Sequence, residues 1–195
     1  MINTLDDEVS PPHLLFKKVM WDININGMKL WFKGTTRKRR KYMEKQNLDV
    51  VYVGVFFDAC EVEAWQKAFD DEGLDRNIEY PHVTLKFRPT EDEVAMLQCH
   101  VGNNVDFVVD AYGNNNENAG FRICEWFEAC EDVANMLEAI KLPHITTSVS
   151  STGRPVNTPK VFEKGYGAGT FPIKPFVIKG KIGMFCSDGA VHYSF

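Results

Sequence analysis

Two stretches of the chain, Tyr80-Pro81-His82-Val83-Thr84-Leu85-Lys86-Phe87 and Leu142-Pro143-His144-Ile145-Thr146-Thr147-Ser148-Val149, repeat one pattern. Each opens on an X-Pro-His step and then alternates, the period of a half-buried strand with its proline at the start, where a missing N–H is tolerated. A chain that writes the same strand twice is constrained to give both copies comparable surroundings, so a duplicated unit of strand, helix and His-bearing strand is expected. Alternate side chains share a face of a strand. His82, Thr84 and Lys86 therefore point one way, opposite Val83, Leu85 and Phe87, and His144, Thr146 and Ser148 point opposite Ile145, Thr147 and Val149. If a pseudo-twofold relates the halves, the two polar triplets face each other across a cleft.

The remaining elements follow from periodicity. Residues 50–57 form a continuous β-branched and aromatic run, the mark of a buried strand. Val62, Trp65 and Phe69 then give one face of a helix closing at Gly73. Thr90 with Glu93 reads as a capping box. Strands are expected at Val105 to Tyr112 and Gly120 to Trp126, joined by the turn-rich 113–118 segment, then a helix from Glu128 to Ile140. Residues 150–175 read as a long surface loop, and residues 176–185 and 191–195 as a last antiparallel pair. Phe57-Asp58-Ala59-Cys60-Glu61 also resembles Phe127-Glu128-Ala129-Cys130-Glu131, 70 positions on (57 to 127), whereas the histidines lie 62 apart (82 to 144). A longer turn in the first half absorbs that difference. The mixture lacks the regular alternation of a parallel sheet, so the expected class is α+β, with two pseudo-symmetric antiparallel sheets lining a central cleft and helices outside. Residues 1–49 are expected to be an N-terminal extension, adding an edge strand at 28–32 and a basic run at Arg37 to Lys41. Residues 50–195 are expected to form one domain of two lobes.

Composition narrows the partners. With 27 acidic against 22 basic side chains and a net charge of −5, a broad non-specific grip on a nucleic-acid backbone is disfavoured. A small nucleotide is the more natural partner, and the basic run reads as a solvated face. Five cysteines form no CxxC, and no HExxH is present, so neither metal nor cofactor is implied. An odd cysteine count without an export signal or a long apolar run points to the cytoplasm, with no membrane span. Cys60 and Cys130 sit where helices begin and are read as packing thiols. His13, His100 and His192 lack the Thr at the second following position and are read as surface or structural.

Through His82-Val83-Thr84 and His144-Ile145-Thr146 the chain resembles the 2H phosphoesterase superfamily, named for two H-x-[TS] motifs on facing strands. The resemblance spans residues 50–195. It implies metal-independent chemistry on ribose-linked phosphodiesters: opening of 2′,3′-cyclic phosphates, cleavage of 2′–5′ oligoadenylates, or degradation of cyclic-nucleotide immune signals, the last an anti-defence role. One imidazole takes a proton from the attacking oxygen and the other protonates the leaving oxygen. Thr84 and Thr146, helped by Lys86 and Ser148, would stabilise the nonbridging oxygens. A base is expected to stack on an aromatic side chain, with Tyr52, Phe57, Tyr112, Trp126 and Tyr166 as candidates. Residues 165–169 read as a lid. The substrate is expected to be a small or cyclic oligonucleotide, and no protein partner is required. RNA end-processing, with Arg154 and the basic run holding the strand, and a noncatalytic nucleotide-binding module are the competing readings.

Overall fold

A computed structural model of the chain describes residues 23–25, 28–30, 48–69, 73–165 and 169–194. It divides into two units, residues 1–41 and 42–195. In the first, β1 (Ile23–Ile25) pairs antiparallel with β2 (Met28–Leu30), so the strand read near residue 28 belongs to a small hairpin. The basic run lies outside the described residues.

The second unit holds β3 (Val50–Phe56), α1 (Ala59–Ala68), β4 (Arg76–Asn77), β5 (His82–Phe87), α2 (Glu91–Leu97), β6 (Asn104–Asn114), β7 (Asn118–Phe127), α3 (Glu131–Glu138), β8 (His144–Val149), α4 (Pro159–Glu163), β9 (Thr170–Cys186) and β10 (Val191–His192). This is an α+β arrangement. Local chemistry sets the helix starts: the Asp58 carboxylate accepts the first N–H groups of α1, and Thr90 and Glu93 close the capping box of α2. Helix α1 ends at Ala68, one turn before Gly73. No helix among the described residues is long and apolar enough to cross a membrane.

All strand pairs are antiparallel, and the eight strands of this unit form one sheet in the order β4-β8-β7-β6-β9-β3-β5, with β10 also on β9. The two sheets expected from the duplication are thus two halves of one. Their junction is β9, whose residues 170–181 pair with β6 and whose residues 181–186 pair with β3. β9 also accounts for much of the supposed loop. Residues 170–175 already belong to it, despite Pro172 and Pro175; among the described residues only β6 pairs with this part of the strand, and a proline costs no ladder bond on an open edge. A 3₁₀ turn (Pro155–Asn157) and α4 take up much of the rest.

Five steps of strand separation would hold β5 and β8 about 24 Å apart in a flat sheet, yet their Cα atoms come within 8 Å. The sheet is therefore rolled until its two His-bearing strands meet. Burial drives the roll: Val55 and Val83 of one half and Phe121 and Ile145 of the other enter a single core with Val62 of α1, Leu97 of α2, and Val133 and Leu137 of α3. At about 25 cal/mol per Å² of apolar surface, such a shared core is the main stabilisation available to the site.

Candidate active site

Each H-x-T strand carries a bulge immediately after its threonine. On β5, Thr84 pairs with Gly54 and Lys86 with Val53, leaving Leu85 as the extra residue. On β8, Thr146 pairs with Gly120 and Ser148 with Ala119, leaving Thr147 as the extra residue. A bulge of one residue reverses the facing of everything beyond it. Lys86 and Ser148, expected beside the histidines, are consequently turned to the opposite face. There the Lys86 ammonium lies 2.7 Å from the Glu93 carboxylate of α2. Fully buried Ser148 accepts hydrogen bonds from the Gln66 side chain of α1 (3.2 Å) and from the Leu74 N–H (3.0 Å). Ser148→Ala strands both donors, a loss of about 1–3 kcal/mol; we expect it to lower the thermal unfolding midpoint clearly, while Lys86→Ala leaves the midpoint nearly unchanged.

The same pairs show which positions of the two halves correspond. Gly54 and Gly120 lie opposite the threonines, Phe56 and Arg122 opposite the histidines, and the Phe57 and Ile123 N–H groups donate to the Pro81 and Pro143 carbonyls (2.9 and 3.0 Å). Phe57 thus corresponds to Ile123. The likeness of residues 57–61 to 127–131 is not a spatial one, because β7 runs on to Phe127 while β3 stops at Phe56.

The two imidazoles are held alike. Nδ1 of His82 lies 2.7 Å from the Tyr80 carbonyl oxygen, and Nδ1 of His144 lies 2.8 Å from the Leu142 carbonyl oxygen. A carbonyl only accepts, so Nδ1 carries the proton in both rings and the neutral ring keeps its lone pair on Nε2. Burial lowers both pKa values below 6.5, and the charge of His144 lowers that of His82 further. One proton is therefore easier to place in this pair than two.

Around these matched histidines the halves differ. Tyr52 stacks on the His82 ring (centroids 4.6 Å apart) and on Phe185 (4.9 Å), and Phe56 tilts against the same imidazole at 5.3 Å. Burial, with the nearby Tyr80 phenol, pushes the Tyr52 hydroxyl up to about 12, so it stays protonated. Beside His144 stands Arg122 instead, fixed by two hydrogen bonds to the Asp110 carboxylate (2.9 and 2.7 Å). Thr84 is exposed, whereas Thr146 is buried and its hydroxyl donates to Thr158 (2.9 Å). Asn118 donates to Thr158 and to the Arg154 carbonyl oxygen (2.6 Å), which brings the loop carrying exposed Arg154 toward Thr146.

His82, Thr84, His144, Thr146 and Tyr52 are thus brought together, with Tyr52 serving as a stacking support for His82. Tyr112 is not part of the group: it is 4% exposed and packed on Phe69 and Phe121 in the core, leaving no ring face for a base. Phe57 is buried, and Trp126 packs against the core. Tyr166 and His13 lie outside the described residues. Missed at the sequence level were Arg122, Thr158 and the two glycines; an isolated glycine inside a strand signals a bulge or a close backbone approach, and Gly54 and Gly120 carried that signal. Among the described residues no group of three or more His, Cys, Asp or Glu is placed to hold a metal ion. Compared with the models of known protein families and with curated proteins, the sequence matches none of them.

Proposed function

We propose that this chain is a phosphodiesterase of the two-histidine type, acting on a ribose-linked phosphodiester in a small or cyclic oligonucleotide and working in the cytoplasm without a metal ion. The observation that carries the reading is the matched pair of imidazoles on β5 and β8, each fixed through Nδ1 by a carbonyl two residues earlier. Such a pair offers two proton-transfer groups of equal reach, the requirement for displacing one oxygen at phosphorus by another. The duplicated bulge and the duplicated glycine support a bilobal relation of the 2H kind. One of the two imidazoles acts as the base toward water or a ribose hydroxyl, and the other protonates the leaving oxygen. Thr84 holds a nonbridging oxygen, Thr146 is engaged with Thr158 and would join it only by turning its hydroxyl away, and Arg122 stands across from His144 on the neighbouring strand.

The direct test incubates the protein in EDTA with 2′,3′-cyclic nucleotides, 2′–5′ oligoadenylate and cyclic di- and trinucleotides, and follows products by chromatography. Turnover of at least one member is expected. Binding without turnover of any would move the protein to the noncatalytic class. The pH dependence is a second expected result. Catalysis needs one imidazole neutral and the other protonated, and burial lowers both below the usual 6.5. kcat/KM, which reports the free protein, should therefore be bell-shaped with its maximum below pH 6.5, falling above it as the pair loses its one proton and below it as the pair gains a second. A rate still rising at about pH 8 would remove the imidazole acid from the mechanism.

A further inference from the structure

Away from the two histidines, three other side chains line up in series. The Cys130 sulfur lies 3.3 Å from Nδ1 of His100, and Nε2 of His100 lies 3.3 Å from the Asp132 carboxylate. They come from two parts of the chain: His100 follows α2, while Cys130 is the N-cap of α3 and Asp132 sits in its first turn. We propose that Cys130, His100 and Asp132 form a reactive-thiol site that exchanges with small, uncharged disulfides, leaving a mixed disulfide on Cys130. The assignment stands on this geometry alone and is independent of the phosphodiesterase reading.

The proton positions are determined by the partners. Asp132 only accepts, so Nε2–H of His100 donates to it, and Nδ1 presents a lone pair to the Cys130 S–H. That is the order nucleophile, base and orienting carboxylate required for an activated nucleophile. The Cys130 side chain makes no capping bond to α3, where serine, threonine or aspartate would ordinarily accept one. A thiolate formed there has first-turn N–H groups nearby, the helix end that favours an anion. The site can be reached, since Cys130 is half-buried and the His100 and Asp132 side chains are 16% and 51% exposed. Glu128, Glu131 and Asp132 all lie within two positions of Cys130 in the sequence, a local negative charge that disfavours anionic disulfides.

The exchange balances without a further reagent. His100 takes the thiol proton as the Cys130 sulfur attacks one sulfur of the disulfide. The old S–S bond breaks, its electron pair leaves with the second sulfur, and the imidazolium returns the proton to that thiolate. Cys130 is oxidised by the disulfide, which is itself reduced to one free thiol.

Cys60 is a built-in comparison. It too sits at a helix start, in the first turn of α1, and is exposed, but its backbone N–H is bonded to Asp58 and no histidine among the described residues meets its sulfur. The test treats the reduced protein with 2-hydroxyethyl disulfide near pH 7, quenches at intervals and quantifies each cysteine by peptide mass spectrometry. Cys130 should be converted about tenfold faster than Cys60, in line with general-base assistance. His100→Ala and Asp132→Asn should each remove most of that advantage while the Cys60 rate stays constant. Asp132 is exposed, so its variant keeps the test valid if His100→Ala misfolds. Glu131→Gln, which changes the charge equally without touching His100, should leave the rate alone. A Cys130 rate no greater than that of Cys60, or one that Asp132→Asn leaves untouched, would overturn the proposal.

Discussion

His82→Ala and His144→Ala should each cut phosphodiester turnover in EDTA by about 10²–10⁴-fold, the range that a positioned proton-transfer group supplies. The double variant should be scarcely slower than either single one, because the two imidazoles act on one displacement and neither is useful without its counterpart. Nucleotide binding should survive in all three, since Thr84, Arg122 and the aromatic group around Tyr52 remain. The separate contribution of the hydrogen bond to oxygen is expected to be smaller: Thr84→Val, at an exposed position, should cost about 10-fold to 100-fold. Tyr52→Leu should act through His82, whose ring it supports, and should move the pH profile as well as the rate. Full turnover in either histidine variant would end the two-histidine mechanism. Loss of activity in only one of them would leave a single imidazole with some other proton carrier.

The difference between the halves gives this mechanism a direction. On the His82 side the neighbours are rings, Tyr52, Phe56 and Phe185; on the His144 side they are Arg122, Asp110, Thr158 and Asn118. A duplicated frame with unlike linings can hold a substrate in one orientation, with the acid and base assigned by environment. Burial alone would lower both pKa values similarly. Their mutual repulsion makes the second proton harder to place than the first, so the pair most readily holds one.

Periodicity made the strands, the capping box at Thr90 and the two histidine-threonine pairs legible, because alternation and cap chemistry are written in neighbouring residues. Three things were not so written. The roll that brings β5 to β8 depends on β9 serving both halves, a pairing of residues distant in sequence. Tyr112 has the composition of a stacking platform, but the core takes it, and no local pattern separates the two fates. Lys86 and Ser148 were placed by strict alternation, which a single extra residue defeats. The bulge itself had a sequence trace in the glycine on each opposing strand, and that trace leads to the strongest structural test.

Gly120→Ala should destabilise the protein by about 3 kcal/mol, lowering the unfolding midpoint by roughly 6–12 °C for a chain of this size. Replacing glycine by alanine in a strand interior ordinarily helps, by about 0.5–1 kcal/mol, since glycine has more freedom to lose on folding. Here the sign is reversed by crowding: a Cβ on Gly120 would stand 2.3 Å from the Ile145 carbonyl oxygen and 3.0 Å from the Thr158 methyl. The obstacle is backbone, so β8 itself has to move. It carries His144 one residue before Ile145 and Thr146 one residue after, and a displacement of even 1 Å is enough to misalign a proton-transfer group by about 10²-fold in rate. Gly54→Ala should do the same more mildly in the other half, where the added carbon meets the Val83 carbonyl oxygen at 2.8 Å. Thermal unfolding followed by circular dichroism, with turnover measured well below the lowered midpoint, separates the two effects. If both variants unfold at or above the wild-type temperature, the glycines are not spacers for the H-x-T strands and the matched bulges lose their explanation. If they unfold lower yet turn over normally when folded, the glycines serve the roll of the sheet but not the placement of His82 and His144.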